Sequence, residues 1–207
     1  MRRRAGLIAG AVALVALAAG GGFTVASAKG TDAPRTPAAD SADAGFARDM
    51  AVHHQQAVEM SYIVRDRTED EDVRRLAYDI AQTQANQRGM LLGWLDLWAL
   101  PKVSSDGPMA WMGMAGMPPG EDGALMPGMA TDAQLDELRK ASGKQAEVRY
   151  LQLMTAHHKG GIHMAQGCAS ACEVGAEKRL AQGMVDAQQS EIDLMADLLK
   201  ARGAKAE

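Results

Sequence analysis

The feature that most constrains the fold is a phrase the chain uses twice: Met50-Ala51-Val52-His53-His54 with Ala57 and Met60, then Met154-Thr155-Ala156-His157-His158 with Gly161 and Met164. One step of 104 residues relates every matched position, as it does His53 to His157. A chain that repeats itself in this way builds one unit twice, and both copies bury the same kind of face. Four of the five histidines fall within the two phrases. Imidazole and thioether together are soft ligands, so metal binding is the first expectation.

At roughly 100° per residue, Met50, His53, His54, Ala57 and Met60 share one face of a helix, and Met154, His157, His158, Gly161 and Met164 share another. The apolar pattern predicts four long helices in two pairs. The first pair covers about 44–67 and 71–100, where Pro101 stops it. The second covers about 144–169 and 174–202, with Gly203 as its C-cap. Thr131 and Gln134 have the spacing of a capping box and open a short extra helix through Leu135 and Leu138. No segment alternates with period two, so no sheet is expected.

The second helix carries an inward stripe of Leu76, Ile80, Gln84, Gln87, Leu91, Trp94 and Trp98. The fourth carries Leu180, Met184, Gln188, Glu191, Met195 and Leu198. The same step superposes these stripes, setting Gln84 on Gln188 and Gln87 on Glu191. The duplicated unit is therefore a whole helical hairpin. Two hairpins, each with one apolar stripe, bury those stripes best as an all-α four-helix bundle. The expected domain covers 44–203, with repeats at 44–100 and 144–202 joined by a Met-rich loop at 101–131.

The N-terminus has the features of an export signal. Arg2, Arg3 and Arg4 precede an apolar run, and Ala26-Ser27-Ala28 offers a cleavage site, giving a signal peptide over 1–28. Left uncleaved, the same stretch is near the length of a membrane anchor. Its removal takes away three positive charges, moving the formal net charge from −4 to −7. A mildly acidic exported domain is a poor nucleic-acid binder, so metal ions are the expected partners. Residues 29–43, rich in Ala, Pro, Asp and Thr, are expected to be a disordered tether.

Burying four imidazoles is costly unless each finds a partner. The expected ligands are Met50, His53, His54, Met60, Met154, His157, His158 and Met164. Gln84, Gln87, Gln188 and Glu191 are expected behind them as acceptors for the outer ring N–H groups. Thioether with imidazole in an exported protein favours copper, Cu(I) or Cu(II), with silver as a soft analogue. Met109, Met112, Met114 and Met117 in the connecting loop are further candidates, the plain alternative being a Gly/Pro/Met spacer. His163 projects to the opposite side of its helix. A di-iron centre would need Glu-x-x-His motifs, and no acidic residue stands three before any paired histidine. Cys168 and Cys172, four apart, fit a disulfide at a fraying helix end, with free thiols or metal ligation as alternatives. No nucleophile triad, phosphate loop or dinucleotide fingerprint occurs.

Phe46 to Met60, Tyr150 to Met164, the Gln-containing helix after each, and the Met-rich segment leading into Thr131-Asp132 resemble the domain-of-unknown-function 305 family of exported proteins. The resemblance runs from about Ala44 to Lys200 and implies a ferritin-like bundle. Some members are associated with copper binding or copper resistance. This chain departs from the family pattern at Gly160-Gly161 and at Cys168 and Cys172, which puts the stiffness of the third long helix in question. The expected role is copper sequestration or delivery outside the cytoplasm, without catalysis. A copper- or iron-dependent redox enzyme and a metal-free helical interaction domain are the alternatives.

Overall fold

Caps written into the sequence set the starts of three of the helices in the computed structural model, which describes residues 36–114 and 124–205. The expected signal peptide, the tether up to residue 35, and Met117 lie outside the described residues. Five α-helices follow in order: α1 (Ala42–Arg65), α2 (Glu71–Leu97), α3 (Asp132–Lys140), α4 (Gly143–Ala171) and α5 (Gly175–Ala201). A short 3-10 turn, Ala110–Met112, lies between α2 and α3, and there is no strand among the described residues. None of these helices is long and apolar enough to cross a membrane.

Ser41 accepts the Ala44 N–H at 3.2 Å, so α1 starts at Ala42 and the last two residues of the expected tether are helical. Asp70 caps α2 in the same way through the Val73 N–H. Thr131 and Gln134 close the capping box reciprocally, at 3.1 and 2.9 Å. α2 ends at Leu97, three residues short of the expected stop at Leu100. Ala99 turns left-handed there (φ 54°), and the Ala99 and Leu100 N–H groups fold back to the Asp96 and Leu95 carbonyls. Leu100 precedes a proline, which disfavours a helical conformation. One repeat later α5 closes identically, with Gly203 (φ 70°) in the left-handed place and Ala204 N–H on Leu199 O.

α1 packs on α2, α4 packs on α5, and α1 meets α4. Along that central contact Asp43 binds Glu173 and Val174, His53 meets His157, Ser61 meets Tyr150, and Thr68 meets Glu147. Partner numbers fall along α4 as they rise along α1, so the two helices are antiparallel and cross near the histidines. Two apolar clusters fill the core. One holds Met60, Val64, Leu76, Ile80, Tyr150, Met154, Met195 and Leu199. The other holds Phe46, Met50, Leu91, Leu95, Met164, Cys168 and Met184. The repeat step carries Met50 to Met154 and Met60 to Met164, exchanging the clusters. The two hairpins are thus related by an approximate twofold through the layer between them. Truncating one of these buried methionines to Ala costs about 2–5 kcal/mol.

Gly160 and Gly161 leave α4 unbroken from Gly143 to Ala171. A Cβ at Gly160 would overlap the Pro127 carbonyl group, and one at Gly161 would stand 2.5 Å from Gln188 Oε1. Close approach of the loop backbone at Gly160 and of the Gln188 side chain at Gly161 accounts for glycine at both places despite a helix penalty of about 1 kcal/mol each. The described parts of the connecting loop are pinned to α1. Asp49 Oδ2 accepts the Met109 N–H at 2.7 Å and the Trp111 indole N–H at 2.9 Å. Gln56 brackets Ala130, donating to its carbonyl at 2.9 Å and accepting its N–H at 2.7 Å.

Candidate metal site

The α1–α4 crossing brings the two His pairs into one layer. His53, His54, His157 and His158 are all fully buried. The His53 and His157 rings lie face to face near the approximate twofold, centroids 3.7 Å apart and 31° between planes. His54 lies 6.4 Å from His53, and His158 lies 6.3 Å from His157, one on each flank. Ala57 and Gly161 are the small residues of this face, and at Gly161 the missing Cβ leaves room for the Gln188 amide. Met50 and Met164 fall in the apolar cluster on one side of this layer, and Met60 and Met154 in the cluster on the other. Each methionine thus pairs with one from the other repeat, which the spacing within a helix does not reveal.

Hydrogen bonding fixes part of the layer and leaves the rest open. His157 Nε2 stands 3.0 Å from the His53 carbonyl, which can only accept, so Nε2 carries the proton and Nδ1 presents its lone pair. His158 Nε2 lies 2.7 Å from Glu191 Oε2. The repeat partner of Glu191 is Gln87, so only one flank holds a carboxylate. Nδ1 of His157 and Nδ1 of His158 have no hydrogen-bond partner, and His53 and His54 each keep at least one unpaired nitrogen, their contacts being the Pro127 backbone and the Gln87 side chain. Gln84 is buried with both amide atoms unpaired, and Gln188 is buried with Oε1 unpaired. Each orphaned polar group of this kind costs about 1–3 kcal/mol.

Burial, reinforced by the neighbouring imidazoles, holds His53 and His157 well below the ordinary histidine pKa. Burial pushes His54 down to about 3, with Gln87 opposing the shift only in part. These rings are therefore neutral at pH 7, the form in which imidazole binds metal. They do not converge three at a time. Among the described residues, the group of three Cys, His, Asp or Glu ligand atoms within 4.8 Å of one another is Cys168, Cys172 and Glu177.

The remaining candidates separate from the layer. Met109 is buried in the Met50 cluster, and Met112 and Met114 pack against it. Cys168 and Cys172 are bonded S–S across the end of α4, with Cα atoms 4.8 Å apart. His163 is exposed. Glu177, fully buried beside Asp43, escaped the sequence reading. Its signal was present all the same, because the repeat step sets it on the apolar Val73.

The sequence profile described as Domain of unknown function (DUF305) matches residues 43–199. Solved structures with the same fold include a DUF305 protein of Streptomyces coelicolor, classed as a candidate secreted protein and 74% identical. That match covers 82% of this chain and 99% of the other, with TM-score 0.76. A DUF305 fragment from Deinococcus radiodurans is 29% identical over 77% of this chain and 96% of its own, with TM-score 0.65. CopM in its Cu(I)-bound form is 22% identical over 77% and 96%, with TM-score 0.59, a likeness of fold. CopM is also solved in Cu(II)-bound and silver-bound forms. No curated protein matches the chain.

Proposed function

The chain belongs to the DUF305 family, and from that premise we propose that it is an exported copper-binding protein: a ferritin-like four-helix bundle of two hairpins whose central His layer, flanked by methionines, takes up Cu(I) or Cu(II) for sequestration or delivery. The observation that carries this reading is four buried, closely grouped histidines, each with at least one ring nitrogen that no hydrogen bond occupies. A core that needed only packing would hold apolar side chains there. His53, His54, His157 and His158 are the nitrogen ligands, with Met50, Met60, Met154 and Met164 as thioethers above and below. Glu191 orients His158 and Gln87 orients His54 from behind, while the amides of Gln84 and Gln188 are buried with unpaired atoms and reach no ring in this state. Bound copper would supply a soft Lewis acid, and the protein's part is to hold the buried imidazoles in place for it. The copper- and silver-bound forms of CopM favour the same ions.

Titration of the protein with Cu(I), Ag(I), Cu(II) and Zn(II) tests the reading. Wild type should bind Cu(I) and Ag(I) tightly. H53A/H54A and H157A/H158A, checked for helical circular dichroism, should each lose at least tenfold in affinity, the scale of a lost ligand contact. No uptake of copper or silver by wild type above background would end the proposal.

A further inference from the structure

At one end of the molecule the repeat changes character in a way that packing does not require. The step of 104 residues carries Val64, Thr68 and Val73 to Cys168, Cys172 and Glu177. Val64 and Val73 are wholly buried apolar residues, and Thr68 donates to Glu147. In the second copy the same three places hold two sulfurs and a carboxyl group, all buried. Their ligand atoms lie within 4.8 Å of one another.

The acidic neighbours diverge too. The step sets Asp43 on Glu147 and Trp98 on Arg202. At the first end Glu147 is met by Arg202 Nε at 2.6 Å. At the second, an indole stands at the Arg202 place in the repeat, and Asp43 accepts the N–H groups of Glu173 and Val174 at 3.0 and 2.7 Å. Glu177 is 0% exposed, and the polar group it meets is another carboxyl group, that of Asp43, to which its protonated form donates. Burial first, then the charge of Asp43, pushes its pKa up to about 9. A carboxyl group buried against another carboxyl group, where the other copy has valine, is costly to the fold and suited to a cation.

We propose that Cys168, Cys172 and Glu177 form a second metal site, separate from the His layer, which opens when the disulfide is reduced and takes a borderline divalent ion such as Zn2+. In the oxidised protein both sulfurs are spent in the S–S bond. A dithiol reductant passes two electrons and two protons to that bond, leaving two thiols and becoming a disulfide itself. Zn2+ then binds both thiolates and the Glu177 carboxylate, displacing three protons. Cys172 is the C-cap of α4, outside the regular helix, where local fraying admits the reductant.

The experiment reduces the full chain with dithiothreitol, removes the reductant without air, and titrates with Co2+ as a coloured stand-in for Zn2+. Reduced wild type should develop a thiolate-to-cobalt charge-transfer band that saturates at one ion per chain and is bleached by Zn2+. The imidazoles and thioethers of the His layer cannot produce that band, and H53A/H54A should keep it, so failure of the copper reading would not affect the result. Oxidised wild type and reduced C168S/C172S should show no band. E177Q keeps a donor toward Asp43 and should fold, yet bind Co2+ at least about tenfold more weakly. A folded, reduced wild type with no thiolate band would overturn the proposal, as would E177Q binding equal to wild type. So would helical signal lost on reduction that Zn2+ does not restore.

Discussion

At neutral pH the imidazoles of His53, His54 and His157 are unprotonated because burial, with their mutual proximity, disfavours the charged form. In the unfolded chain each would titrate near 6.5. The folded pKa is the lower one, so the stability these groups contribute is full above about pH 6.5 and is lost as pH falls from there. His54 completes its share near its folded value of about 3. Urea unfolding of the metal-free protein at pH 7.5, 6.0 and 5.0 should therefore show stability dropping by at most about 3 kcal/mol per pH unit, three histidine protons less the one that Glu177 already holds in the folded state, at 1.36 kcal/mol each. A flat profile across that range would mean the rings are open to water.

The two hairpin ends show what a repeat preserves and what it leaves to each copy. Ala99 and Gly203 occupy the same left-handed position of the same cap, one repeat apart, but only Gly203 is suited to it. A99G should stabilise the protein by about 1 kcal/mol, read as a rise in melting temperature. G160A should do the reverse, because its Cβ meets the Pro127 backbone, leaving the loop or the helix to move. Hydrogen exchange over residues 124–131 should rise in that variant, while a helix-propensity gain with unchanged exchange would contradict the close approach. The helices, the Thr131 capping box and the Gly203 cap were all legible in the sequence, because each depends on neighbours within a turn or two. The early stop of α2 was not. It turns on Ala99 adopting a conformation that its residue type disfavours, held by the Asp96 and Leu95 carbonyls.

For the whole molecule, the central consequence of the antiparallel α1–α4 crossing is that each half completes the other. A bound ion would tie both hairpins together and stabilise the fold as a unit. Silver at a hundredfold excess over its dissociation constant should add about 2.7 kcal/mol. For a domain of this size that corresponds to a melting rise of roughly 5–10 °C, reversed by a thiol chelator. Equal melting with and without the ion would remove the link between site and fold. The sequence alone determined that the chain is all-helical, that it is duplicated, and that His53, His54, His157 and His158 face inward, because helical period and repeat spacing are local properties. Only the tertiary structure decided that the two His pairs share one layer, that Met50 joins Met164 while Met60 joins Met154, and that Glu177 lies against the cysteines. Those pairings depend on the direction in which α1 crosses α4, and that is settled by the packing of side chains about a hundred residues apart rather than by any pattern within one helix.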